Sequence, residues 1–154
     1  VRLADGDDAP DFRLRNQDGV EVALDDYAGT RLVVFFYPRA FTPGCTTEAC
    51  DFRDRYQTFA DAGYEVLGVS PDPAAKLAEF RTEHGLPFPL LSDPDHAMAD
   101  AYGAWGMKRN YGKEYEGLIR STVVIDESGK IAHAWYNVTA TGHAARVAAD
   151  TVAD

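Results

Sequence analysis

The sequence is short of several things, and each shortage excludes something. Only two of its 154 residues are cysteine, too few for a disulfide scaffold. A chain of this length buries roughly 68–70% of its unfolded surface on folding, so its core needs no staple. Cys45 and Cys50 therefore read as chemistry rather than architecture. Long apolar runs are also missing. The longest, Leu32 to Tyr37, is far too short to span a bilayer. Residues 1–8 are acidic and carry no apolar segment of the kind found in a leader. The chain opens on Val1 rather than Met, which leaves a removed leader open. Positive charge is scarce: 15 Lys and Arg face 25 Asp and Glu, for a net −10. Nucleic-acid binding needs a positive footprint, so that class is excluded, and docking on anionic lipid is disfavoured. The excess acid reads as a solvated surface, and the expectation is a soluble, cytoplasmic protein. The four histidines, His84, His96, His133 and His143, show no ligand spacing to one another or to the cysteines, so no metal site is expected. No phosphate loop or dinucleotide fingerprint is present, and no cofactor is expected. No repeat or linker breaks the chain, which reads as one domain over residues 1–154.

What is present is an alternation of strands and helices. Phe12 to Leu14 and Val20 to Val22 flank the turn-rich Asn16-Gln17-Asp18-Gly19, the pattern of an N-terminal β-hairpin. Leu32 to Tyr37 is continuously apolar, as befits a strand covered on both faces. A helix starts near Thr42; Ala49, Phe52, Tyr56 and Phe59 fall on one stripe and Gly63 supplies a stop. Glu65 to Ser70 reads as a second buried strand, and Pro73 to His84 as a helix. A short segment at Pro89 to Leu91 follows, then a small helix around Met98 to Tyr102. Ser121 to Ile125 and Ile131 to Trp135 read as strands, and an Ala-rich helix from His143 closes the chain. Trp105, Met107 and Tyr111 read as core or loop packing. The sum is an α/β fold with a central sheet flanked by helices.

The chemistry concentrates at Cys45. Thr42 suits an N-cap and Pro43 the first helical position, which puts Gly44 and Cys45 in the first turn. There the backbone N–H groups lack helical partners and the macrodipole is positive. That environment favours a thiolate, the nucleophilic form of cysteine, and can hold a developing oxyanion. On these grounds alone Cys45 reads equally well as an inert buried thiol.

The surrounding residues decide between the two. Pro38-Arg39-Ala40-Phe41-Thr42-Pro43-Gly44-Cys45 resembles the Pro-x-x-x-Thr-x-x-Cys motif of peroxiredoxins. Thr46-Thr47-Glu48-Ala49-Cys50 resembles the bacterioferritin-comigratory, or peroxiredoxin Q, subfamily. The likeness extends to Ala9-Pro10-Asp11-Phe12, Trp105-Gly106, Tyr111-Gly112-Lys113, Arg120-Ser121-Thr122 and Ile125-Asp126. It implies a thioredoxin-like fold and a thiol peroxidase that reduces hydrogen peroxide and organic hydroperoxides. It also implies roles. Cys45 is the attacking sulfur. Thr42 exchanges hydrogen bonds with the peroxide, and Pro38 shields the thiolate from water. Arg120 holds the thiolate and the peroxide oxygens through its charged fork, and Glu48 orients Arg120. Each residue also has a plain reading: Thr42 as an N-cap, Glu48 as a first-turn acid, Arg120 as a solvated strand-end cation.

The resemblance makes Cys50 the thiol that resolves the Cys45 sulfenic acid into an intramolecular disulfide, with thioredoxin or a similar dithiol protein as reductant and a monomer as the working unit. The plain reading of Cys50 is a small hydrophobe, with an external thiol resolving. On one regular helix the two Cα atoms lie ~8–9 Å apart, beyond the ~7 Å reach of a disulfide. A Cys45–Cys50 bond therefore requires the first turns to unwind. The sequence departs from the subfamily at Arg39-Ala40-Phe41, usually a more polar triplet, and at Val124, usually aromatic. Phe41 reads first as a packing residue and second as a selector of bulky apolar hydroperoxides. Two other functions stand beside peroxidase: a protein thiol–disulfide oxidoreductase, which ordinarily uses Cys-x-x-Cys, and a redox-sensing binding protein.

Overall fold

The computed structural model describes residues 2–110 and 112–152. Tyr111, one of the aromatic residues singled out in the sequence, lies outside them. The described residues form nine strands and five α-helices. The strands are β1 (Arg13–Asn16), β2 (Glu21–Ala23), β3 (Arg31–Phe36), β4 (Tyr64–Ser70), β5 (Leu90–Ser92), β6 (Trp105–Asn110), β7 (Lys113–Leu118), β8 (Ser121–Ile125) and β9 (Ile131–Tyr136). The helices are α1 (Pro43–Asp54), α2 (Tyr56–Asp61), α3 (Ala74–His84), α4 (Ala97–Ala101) and α5 (His143–Thr151).

Seven strands make one mixed sheet in the order β2-β1-β5-β4-β3-β8-β9. The parallel pairs are β3 with β4 and β4 with β5; β8 runs antiparallel to β3. The N-terminal hairpin is present and docks by β1 on the edge of β5. β3 lies inside the sheet, and its alternation serves two cores. Val33, Phe35 and Tyr37 face α1, α2, α3 and α5. Leu32, Val34 and Phe36 face the opposite layer with Met98, Tyr102 and Leu118. All six are fully buried, which is why the run is apolar without a period of two.

Two departures from the sequence reading concern elements beside the cysteines. The helix expected from Thr42 to Gly63 is two helices, separated at Arg55 (φ −105°, ψ 3°). There the Arg55 N–H bonds to Phe52 O three residues back, a 3₁₀-type tightening. Phe52 and Phe59 stay on one buried stripe across the break. The second departure is the stretch read as packing around Trp105. It forms a two-stranded hairpin, β6 with β7, separate from the main sheet. This hairpin delivers the chain to Arg120.

Gly68 sits at the crowded centre of β4. A Cβ there would lie 2.8 Å from Leu90 Cδ2, 2.9 Å from Phe35 Cζ and 3.2 Å from Tyr37 Cε1. All three neighbours are fully buried, so none can swing aside. Gly68→Ala should cost about 1–3 kcal/mol by overpacking. The check is a urea midpoint that falls with an unchanged slope; an unchanged midpoint contradicts the packing argument.

Candidate active site

α1 begins where the sequence says it should. Thr42 is at the N-cap in extended geometry (φ −75°, ψ 151°), with Pro43 at the first helical position. The Thr42 hydroxyl does not cap the helix, however. It donates instead to Arg39 O at 2.7 Å. A side chain turned back onto its own loop leaves the first-turn N–H groups of Gly44 and Cys45 uncapped by Thr42. Thr46 N–H is the first to bond inside the helix, to Thr42 O at 2.9 Å.

Cys45 is fully buried. Arg120, 75 positions away, donates from Nη2 to Cys45 Sγ at 3.4 Å and from Nη1 to Glu48 Oε1 at 2.7 Å. Glu48 is fully buried and the Arg120 side chain is 16% exposed. Cys45 and Glu48 are three residues apart on one helix and so share a face. One guanidinium reaches both, using the fixed fork that distinguishes Arg from Lys. The Arg120 backbone is pinned as well: its carbonyl accepts Val138 N–H at 3.0 Å.

The electrostatics follow from burial. Burial raises the Glu48 carboxyl to about 7, although Arg120 pulls the other way. Burial works against the Arg120 charge, but Glu48 and Cys45 outweigh it and hold its pKa above the ordinary value. Glu48 Oε2 is buried with no hydrogen-bond partner among the described residues.

Three neighbours escaped the sequence reading. Gly44 lets Arg120 lie close, since a Cβ there would sit 3.2 Å from Arg120 Nη2. Tyr37 carries a buried hydroxyl, unpartnered among the described residues. Burial raises its pKa; the nearby Ser70 side chain opposes the shift, and Asp72, Cys45 and Glu48 add to it. Lys108 of β6 is partly buried, which lowers its pKa; Arg120 lowers it further and Cys45 opposes. Only Tyr37 left a sequence signal, as the hydroxyl that ends an apolar strand.

Pro38 follows β3 and is partly buried. Phe41 has φ 67°, unusual for a bulky residue. Its ring lies 5.1 Å from that of Phe80 and 6.2 Å from that of His84, so it packs on α3. Cys50 lies on α1, partly buried; it and Cys45 are free thiols. Among the described residues, no group of three metal-ligating side chains converges and no helix is long and apolar enough to cross a membrane.

A buried cysteine at a helix start is met by the guanidinium of Arg120, which lies in the short connection between β7 and β8. Residues 6–134 match the AhpC/TSA family. The chain belongs to that family. A putative peroxiredoxin of Mycobacterium tuberculosis is 56% identical over 97% of this chain and 96% of its own. Peroxiredoxin Bcp of Bacillus subtilis is 46% identical over 91% and 89%. Among solved structures, a cysteine-to-serine mutant of Xylella fastidiosa PrxQ superposes with TM-score 0.92 at 31% identity, covering 99% of this chain and 98% of that one. Xanthomonas campestris peroxiredoxin Q gives 0.85 at 39%, covering 90% and 88%. The peroxiredoxin resemblance and the thioredoxin-like fold expected from it are thus borne out.

Two buried groups give this AhpC/TSA protein opposing pH responses. His143, at the start of α5, shares a 2.8 Å hydrogen bond with Thr122 Oγ1. Burial lowers its pKa from 6.5 to about 4. Between those values the unfolded chain binds more protons, so this group's contribution to stability rises with pH. Glu48 is raised from 4.5 to about 7. Across that window the folded chain binds more protons, and its contribution falls as pH rises. Glu48→Gln removes the falling component. Between pH 5.0 and 6.5 the variant should gain about 2 kcal/mol more than the wild type, read from urea midpoints. An identical pH response in both proteins contradicts the assignment.

Proposed function

We propose that this chain is a thiol-dependent peroxidase of the atypical two-cysteine kind, acting as one domain over residues 1–154. The observation that carries the reading is the Arg120 fork, which donates to both Cys45 Sγ and Glu48. The Cys45 thiolate attacks one oxygen of a hydroperoxide. The S–O bond forms as the O–O bond breaks, and the other oxygen leaves as hydroxide or alkoxide and takes a proton to give water or alcohol. Negative charge moves from sulfur to the departing oxygen. A cationic fork and first-turn N–H groups already in place stabilise that charge without reorganising. In this reading Arg120 contacts the reacting atoms and Glu48 orients Arg120. The Thr42 hydroxyl, which donates to Arg39 O, keeps lone pairs to accept a hydrogen bond from the peroxide, and Pro38 keeps water from the sulfur. A Xanthomonas campestris bacterioferritin comigratory protein, 38% identical with TM-score 0.85, was solved to explain alkyl peroxide reduction. Its likeness supports extending the substrates from hydrogen peroxide to organic hydroperoxides.

The product on the enzyme is a sulfenic acid. Cys50 attacks it, water leaves, and a Cys45–Cys50 disulfide remains. Both residues lie within the single helix α1, so at ~8–9 Å between Cα atoms the bond cannot form until the helix opens. The break at Arg55 gives the unwinding a natural limit, with α2 beyond it intact. A dithiol protein such as thioredoxin then attacks the disulfide and restores both thiols. The protein works as a cytoplasmic monomer.

Stopped-flow mixing of the reduced protein with hydrogen peroxide and with cumene hydroperoxide tests the reading, with Cys45→Ser as control. Reaction with both peroxides, absent in the control, is the expected result; no faster consumption than the control contradicts it. Cys50→Ser should keep a single oxidation of Cys45 and lose turnover with thioredoxin. Stoichiometric peroxide should lower far-UV helicity and speed amide exchange across residues 45–54. Oxidised protein with unchanged helicity and exchange would exclude the Cys45–Cys50 bond.

A further inference from the structure

The loop that links β3 to α1 carries Pro38 and Thr42 but has few ties of its own. The Thr42 hydroxyl bonds to Arg39 O inside the loop. Among the described residues, a single hydrogen bond joins residues 38–42 to a distant part of the chain. It runs from Ala40 N–H to Asp72 Oδ2 at 2.7 Å. Ala40 and Asp72 are both buried. A buried N–H without a partner costs about 1–3 kcal/mol, so this bond strongly favours the loop in its present place.

Asp72 is itself held. The same Oδ2 accepts the Ser70 hydroxyl at 2.8 Å. The Asp72 carbonyl accepts the Ser92 hydroxyl at 2.6 Å. Ser70 and Ser92 are paired partners at the ends of β4 and β5. The sequence Ser70-Pro71-Asp72-Pro73 adds stiffness. Each proline fixes its own φ, and Pro73 restricts Asp72 as the residue before it. The carboxylate therefore stands on the rigid ends of two sheet strands and reaches across to the loop after a third. Nothing in the chemistry of thiol and peroxide requires an acid at this position, and its placement is explained by the loop it holds.

We propose that Asp72 is a positioning residue for peroxide capture. Through Ala40 N–H it fixes the loop so that Pro38 and Thr42 stand ready at the helix start. The proposal rests on the reading of Thr42 as the group that receives the peroxide and of Pro38 as the group that shields the sulfur from water. It separates two properties of Cys45. Attack on a peroxide needs the loop in register, whereas alkylation by iodoacetamide needs only access to the sulfur.

The test compares second-order rates of the reduced protein with hydrogen peroxide and with iodoacetamide for wild type, Asp72→Ala, Asp72→Asn and Thr42→Val. Asp72→Ala should lose about tenfold or more with peroxide while alkylation stays within about threefold, because misplacing a positioning group affects only the oriented reaction. Asp72→Asn keeps an oxygen for Ala40 N–H without the charge-assisted bond, so its loss should be intermediate, about threefold. If Asp72→Ala does not fold, Asp72→Asn alone decides. Peroxide rates at the wild-type level in these variants overturn the proposal. So do peroxide and alkylation rates that change together, since that pattern marks general loosening around a buried cysteine. Thr42→Val separates the two layers: slow Thr42→Val with unaffected Asp72 variants overturns only the role of Asp72. Unaffected Thr42→Val removes the reading on which that role rests.

Discussion

A guanidinium held between a fully buried carboxylate and a fully buried sulfur is costly to assemble, and the rest of the structure makes it possible. Taking charges out of water carries a penalty of several kcal/mol per ion that pairing only partly returns. The Arg120, Glu48 and Cys45 cluster is therefore poor as a source of stability, and its presence needs another explanation. Burial raises Glu48 while Arg120 opposes it, and the proposed function supplies that explanation, since perturbed groups gather at functional sites. The fold supplies what the cluster needs. α1 puts Cys45 and Glu48 on one face. Gly44 leaves room for the fork. The backbone of Arg120 is fixed by Val138, and the preceding residue, Ile119, donates to Ala104 O at 2.7 Å.

In the proposed cycle the same helix serves two steps with conflicting demands. Peroxide attack wants residues 43–54 ordered, with first-turn N–H groups aimed at the sulfur. Resolution by Cys50 wants those turns undone. In that reading the packing divides the helix into a firmer and a lighter part. Phe52 stacks on Phe35 with centroids 4.6 Å apart and anchors the later turns of α1 in the core. The early turns are held by Cys45, Ala49 and the Arg120 contacts, which are lighter in apolar area. Elements that move in a reaction cycle are drawn from the less stable parts of a fold. Phe41, strained at φ 67° beside Thr42, lies at the edge of that segment with its ring on α3.

Much of this was legible in the residues themselves. The unbroken apolar run of β3 announced a strand with two covered faces, and Thr42-Pro43 announced a helix whose first turn holds Cys45. The motif around Cys45 carried the family. What could not be read has physical reasons. β6 and β7 are polar and exposed along much of their length, with Met107 64% exposed. They form a hairpin off the main sheet and show no apolar alternation to betray it. The break at Arg55 turns on one hydrogen bond and involves neither Pro nor Gly. The Thr42 hydroxyl chose Arg39 O over the helix end, a choice between two local acceptor and donor sets that composition does not rank. The surroundings of Gly44, Tyr37, Lys108 and Asp72 depend on what approaches them from elsewhere in the chain.

The central claim is that a fixed fork at Cys45 lowers the barrier to breaking the O–O bond. Arg120→Lys keeps a cation but gives up the fork, and Arg120→Ala gives up both. The direct measurement is the second-order rate of each reduced variant with hydrogen peroxide. Loss of an oriented donor at a developing oxyanion predicts a fall of about 10²-fold or more for Arg120→Ala, with Arg120→Lys recovering only part of it. An Arg120→Ala protein that reacts within about threefold of the wild type would contradict the account, because a preorganised charged donor cannot be worth so little.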